Sequence, residues 1–238
     1  MRTLSIFILA ALLSGSAFAQ YEGPRRQNYL DVALAAGNGG SLALSYQSLY
    51  GGRFKIGWGI RYTGFAGKST GLVTAPAKLT SGKTNPSVLF SETVESNLDT
   101  LTLNKVQTNA LNAVINLQFA ISKRFEVGFN IDAIGLSFGA QQTGRFHSAS
   151  ESKTLDNSVQ TAKPTSFNLL LIGDNDLGNL NSELYARYWL GDRVALRAGL
   201  SFNFVEYTTE RKLTFDNDRF RYKSLLPMVA VSFSPFVK

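Results

Sequence analysis

The sequence predicts an all-β fold, an eight-stranded antiparallel up-and-down transmembrane β-barrel, with ten strands as the alternative count. Three observations predict it. Apolar and polar residues alternate with period two through most of the chain, helical periodicity is nearly absent, and tight connections alternate with long ones. The composition agrees: 238 residues, 44% hydrophobic, 12% aromatic and 17% charged, are too aromatic and too weakly charged for a disordered chain. The absence of Cys excludes disulfides, thiolate chemistry and a lipid-modified N-terminal Cys.

Residues 1–19 read as a signal peptide. Arg2 precedes the apolar run Leu4 to Leu13, and Ala17-Phe18-Ala19 fits a small-residue cleavage site before Gln20. No later apolar run reaches about 18 residues, so a helical span is excluded and residues 20–238 are expected to form one barrel domain.

Each strand shows one apolar and one polar face. Leu30, Val32 and Leu34 alternate with Asp31, Ala33 and Ala35, and Leu42, Leu44 and Tyr46 with Ala43, Ser45 and Gln47. Phe54, Ile56, Trp58, Ile60 and Tyr62 oppose Lys55, Gly57, Gly59, Arg61 and Thr63. The pattern recurs at Leu111 to Phe119, Phe125 to Asp132, Glu183 to Leu190, Val194 to Asn203 and Tyr222 to Phe236. The connections at Tyr50–Arg53, Ser122–Arg124 and Gly191–Arg193 are tight, whereas those near 67–106 and 140–179 are long. With a periplasmic N-terminus, every long connection falls outside the cell. A soluble sandwich or lipocalin-like barrel also alternates, but Gly, Ser, Asn, Gln and charges on the minority face would make a poor soluble core.

That minority face carries eight charges: Asp31, Lys55, Arg61, Glu126, Asp132, Glu183, Arg187 and Arg197. An eight-stranded barrel is only wide enough for its own side chains, so these ions are expected to pair into a network that closes the lumen. The sequence shows no catalytic constellation. Its single His, His147, lies in Arg145-Phe-His-Ser-Ala-Ser150, where Ala149 stands in place of the Ser of the lipid A deacylase pattern. Asp174-Asn-Asp-Leu-Gly178 begins like a calcium loop, but Gly178 and Tyr185 occupy positions that need oxygen ligands. No metal, cofactor or catalytic residue is therefore expected. The apolar run Phe167 to Ile172 is expected to pack against the barrel, and Lys68, Lys78, Lys83, Arg145, Lys153, Lys163, Arg211, Lys212 and Arg219 to face lipopolysaccharide phosphates.

Gly173-Asp-Asn-Asp-Leu-Gly178 running on to Tyr185-Ala-Arg-Tyr-Trp-Leu190, with Arg197-Ala-Gly-Leu-Ser201, resembles porin-like outer-membrane β-barrel-domain proteins of the Bacteroidota. Tyr46, Tyr50-Gly-Gly52 and Gly57-Trp-Gly-Ile-Arg-Tyr62 are similar to their early hairpin. The resemblance implies a small porin-like or adhesin-like barrel and brings no catalytic residues with it. The expectation is a monomeric, integral outer-membrane protein with a structural, adhesive or ligand-binding role through its loops, and no nucleic-acid partner. A lipid A-modifying enzyme and a narrow pore are the alternatives.

Overall fold

A computed structural model describes residues 26–235, apart from 69, 84–91, 93, 150–152, 154 and 172. The predicted signal segment lies outside the described residues. The described residues form thirteen antiparallel strands: β1 (Arg26–Ala36), β2 (Gly40–Gly51), β3 (Phe54–Gly67), β4 (Thr70–Thr74), β5 (Thr100–Leu103), β6 (Val106–Ala120), β7 (Phe125–Phe138), β8 (Gln142–His147), β9 (Val159–Pro164), β10 (Phe167–Leu169), β11 (Leu180–Trp189), β12 (Val194–Thr209) and β13 (Arg219–Phe233). A short helix, α1 (Ala77–Thr80), lies between β4 and β5.

The count corrects the expectation of eight strands, or of ten. Five of the thirteen are segments of three to six residues inside the two long connections. None of these short segments carries more than two inward apolar residues, and β10 turns Asn168 inward, too few to stand out from solvated loop.

The long strands close a ring in the order β1, β2, β3, β6, β7, β11, β12, β13 and back to β1. A second ring stands on the first and shares two of its strands. The ends of β12 and β13 remain paired to Thr208↔Arg219, and the pairings β13–β4, β4–β5, β5–β8, β8–β9 and β9–β12 complete a six-membered circuit. β10 adds to β7 above the point where β11 begins, and Leu170 N–H donates to the Ala133 carbonyl at 2.8 Å, so Phe167 to Leu170 run along the barrel wall, while Ile172 at the end of that apolar run lies outside the described residues.

Pleat parity decides the inside and the outside. Leu34, Trp58, Leu136, Leu184 and Val229 are 52–62% exposed on the outer wall, whereas Asp31, Lys55 and Asp132 on the opposite parity are at most 3% exposed. β7 changes parity part-way. A bulge where Ala113 and Val114 of β6 face Ile134 and Asp132 leaves Ala133 unpaired, so Asp132 and Ser137 both point inward while Ile134, Leu136 and Phe138 point out.

The lumen has three tiers. At the short-turn end Tyr29, Leu49, Trp189 and Ala195 form a floor, with the Tyr29 and Trp189 rings 5.5 Å apart. The middle tier is polar. The top is apolar: Ala33, Ala35, Phe65, Leu226 and Met228 continue into Leu72, Leu101, Phe146 and Phe220 inside the outer ring. The charged residues of the inward face are thus confined to the middle of the barrel, while near the strand tops this second core shares the inward positions with Ser41, Thr108, Ser137 and Ser224.

Gly128 shows how tightly the middle tier is filled. A Cβ there would stand 2.4 Å from the Tyr185 ring. Gly128→Val is expected to destabilise the fold by about 1–3 kcal/mol, because the displaced Tyr185 has nowhere to go in a closed ring; the urea midpoint of the refolded protein measures it.

Candidate functional site: the lumen and the outer ring

Inward parity on β1, β3, β7, β11 and β12 delivers the eight predicted charges to one space, and all eight are buried. They form one chain of alternating sign. Lys55 lies 3.4 Å from Glu126, Glu126 lies 3.6 Å from Arg187, and Arg187 lies 3.2 Å from Asp31. Asp31 also binds Arg197, whose guanidinium reaches Glu183 at 2.7 Å; Glu183 is 3.4 Å from Arg61, and Arg61 pairs with Asp132 at 2.6 Å. Four positive and four negative charges leave the series neutral.

The order of this series answers a difficulty in the register. Arg187 and Arg197 sit directly opposite one another on β11 and β12, and like charges so placed repel. Asp31 on β1 binds both. Aromatic faces do the rest: the Arg187 guanidinium lies 4.1 Å from the Tyr29 ring centroid and that of Arg197 lies 3.8 Å from Tyr185.

Neutral side chains fill the remaining valences. Gln47 donates to Asp31 at 2.9 Å, Asn130 to Glu183 at 2.9 Å, and Arg187 donates to Gln118 at 2.8 Å and to Ser232 at 3.1 Å. Above Asp132 an amide ladder takes over. Asn112 donates to Asp132 and Asn168 to Asn112, each at 2.7 Å, and Asn179 donates to the Thr165 carbonyl at 3.2 Å. A cavity of about 10 Å³ lies beside this ladder, and another of about 30 Å³ lies on the outer side beneath Leu170 and Asp176. Thr63 Oγ1 and Asn181 Nδ2, which have no hydrogen-bond partner among the described residues, line the smaller one, which has room for about one water.

A second ion cluster lies where sequence reasoning did not look. Glu206 of β12 and Arg221 of β13 share the face of Phe202 and Leu225, the outward parity, yet both are buried. The turn at Gly173–Asn175 and the residues after it cover them. Arg221 and Arg219 bind Glu206 at 2.7 and 2.8 Å and donate to the Asp176 carbonyl, and Asp174 pairs with Lys223. Arg219 is therefore not a solvated contact for lipopolysaccharide, as its place after a loop predicted: its guanidinium is held inside this cluster. The acids that resemble a calcium loop are spent here, and burial pushes the Asp176 carboxyl above the ordinary range although the Leu171 N–H and the Arg221 guanidinium pull it down. The missed signal was the outward run Arg219, Arg221, Lys223, three cations on the parity that is apolar from Leu225 to Phe233.

His147 ends β8, opposite Thr100, with its side chain 47% exposed and Nδ1 3.7 Å from Asp156. The neighbouring Ser148 hydroxyl donates to Asp99 at 3.2 Å. The predicted basic residues Lys68, Lys78, Lys83, Arg145, Lys153, Lys163, Arg211 and Lys212 are exposed. Lys212 pairs with Asp216 at 2.6 Å, and Arg211 donates to Gln160 at 3.0 Å.

No family model and no curated protein matches the chain. Among solved structures it is similar to neisserial surface protein A, at 11% identity and a TM-score of 0.38 over 87% of this chain and 94% of that one. It is also similar to a major outer membrane protein of Thermus thermophilus, at 11% identity and a TM-score of 0.36 over 89% of this chain and 100% of that one. The Bacteroidota affiliation implied by the sequence resemblance finds no support in them. At such identities and TM-scores, function has to be read from the chain's own wall and lumen.

Proposed function

We propose that this chain is an integral outer-membrane β-barrel, closed along its axis, whose structural, adhesive or ligand-binding role is exercised through the outer ring. The observation that supports it is inverted burial. Leu, Ile, Val, Trp and Phe are half exposed around the whole ring while Arg61, Arg187 and Lys55 are wholly buried. In water that wall would far exceed the apolar patch a soluble monomer tolerates. Against hydrocarbon it is the favourable surface, and a closed ring leaves no unpaired backbone edge in lipid.

The tight turns then lie on the periplasmic side and the outer ring stands at the cell surface. The ring offers side chains rather than strand edges, since its six members pair in a circuit. Thr100, Thr102, Thr143, Arg145, His147 and Lys163 face outward on it. Lipopolysaccharide phosphates suit the exposed cations, and the molecule acts as a monomer without a catalytic residue or cofactor.

Two measurements test the proposal together. The refolded mature chain is expected to float with phosphatidylcholine vesicles, to migrate differently before and after boiling, and to give no large stable openings in planar bilayers. A freely soluble, detergent-free monomer would overturn the membrane reading, and steady unitary conductance would overturn the closed lumen.

A further inference from the structure

The outer wall holds a groove. Ala186 of β11 pairs with Ala198 of β12, and both stand on the lipid-facing side between taller pairs, Leu184 with Leu200 and Tyr188 with Leu196. The result is an open apolar depression of about 590 Å³, floored by the two alanines and walled by Phe125, Tyr188, Leu196 and Val229. That is within the roughly 300–1,000 Å³ of small-molecule sites.

Its lower end meets charge. Phe125 and Tyr188, paired across β7 and β11, open onto the turns at 121–124 and 190–193. The Trp189 N–H donates to the Arg124 carbonyl at 2.8 Å and the Ser234 N–H to the Arg193 carbonyl at 2.7 Å, so both turns are fixed to the strands beside the groove. Lys123, Arg124 and Arg193 are exposed and, among the described residues, have no ion-pair partner; Asp192 is the one acid in these two turns.

We propose that this groove binds one anionic phospholipid, its acyl chain lying over Ala186 and Ala198 and its phosphate held by Lys123, Arg124 and Arg193. The proposal rests on the membrane reading and extends it by naming a lipid class. The alanine notch is a recess that passing, mobile chains fill poorly and that a lodged chain fills well. Guanidinium and ammonium groups donate charge-assisted hydrogen bonds to phosphate oxygens. A zwitterionic headgroup brings its own cation against the surplus positive charge of the turns, so an anionic headgroup is preferred.

Native mass spectrometry of the refolded chain, released from detergent containing equal amounts of dioleoyl phosphatidylglycerol and phosphatidylcholine, tests the site. A single retained lipid is expected, with phosphatidylglycerol preferred at least about fivefold, the factor that roughly one charge near a membrane surface supplies. Ala198→Phe fills the notch from a lipid-facing position and is expected to lose the adduct; Ala186→Leu does the same should that variant not fold. The pair Arg124→Gln and Arg193→Gln is expected to keep an adduct and lose the preference. Equal retention of the two lipids by the unaltered protein, or full retention by the notch-filled variant, overturns the site. Failure to float with vesicles overturns the membrane reading and the site with it, whereas flotation without lipid preference overturns the site alone.

Discussion

Replacing Arg187 by methionine is expected to lower the stability of the folded barrel by about 3–5 kcal/mol, the cost of removing one partner from a buried ion pair. Arg187 is the third member of the alternating series and the one with most to lose. Its removal leaves Glu126 with Lys55 at 3.4 Å and Asp31 with Arg197, so two buried carboxylates each keep one cation where each had two. The Gln118 and Ser232 acceptors and the Tyr29 ring lose their donor in the same step. The cluster of Tyr29, Leu49, Trp189 and Ala195 below and the apolar cluster above bound the space the guanidinium would leave. Urea unfolding in vesicles, followed by fluorescence of Trp58 on the wall and Trp189 in the floor, measures the change. Lys212→Met is the control: its pair with Asp216 is solvated on both sides and should shift the midpoint hardly at all. Similar midpoints for the two variants would show that the series does not hold the lumen together.

Leu184→Arg is expected to cost about 2–4 kcal/mol, the penalty for a cation on the lipid face near the middle of the bilayer. Leu184 lies halfway along β11, 60% exposed, between Phe129 and Leu200 on its two neighbouring strands. On a protein dissolved in water, an arginine at so exposed a site would change stability by no more than about half a kilocalorie. The same urea titration therefore separates the two environments. A neutral result would mean that water, not hydrocarbon, touches this wall.

The parts of the fold that follow one rule over many residues were legible. Strict alternation from Phe54 to Tyr62 reveals both the strand and its inward members Lys55 and Arg61, and the same rule assigns Asp31, Glu126, Glu183 and Arg197 to one face. Which acid meets which base was not legible, since it depends on the closing order of the ring and on β1 reaching β12 across the lumen. The upper half of β7 was hidden by its bulge: one extra residue at Ala133 reverses parity, so Ile134 to Phe138 no longer matches the preceding pattern. The outer ring escaped because Thr70–Thr74 or Gln142–His147 is too short for periodicity to rise above its hydroxyl-rich surroundings. Glu206 and Arg221 escaped for the opposite reason. They break the rule, as charged residues on its outward side that are buried only because residues 173–176 fold over them.

The hairpin of β12 and β13 is the seam of both rings, and it follows the other described strands in sequence. β4, β5, β8 and β9 precede it in sequence and have no closed circuit until it arrives. The two closures are therefore linked: a polypeptide cut before Val194 lacks both at once, and a conformational epitope spanning Arg145 and Val73 is expected to mark only molecules that carry this hairpin.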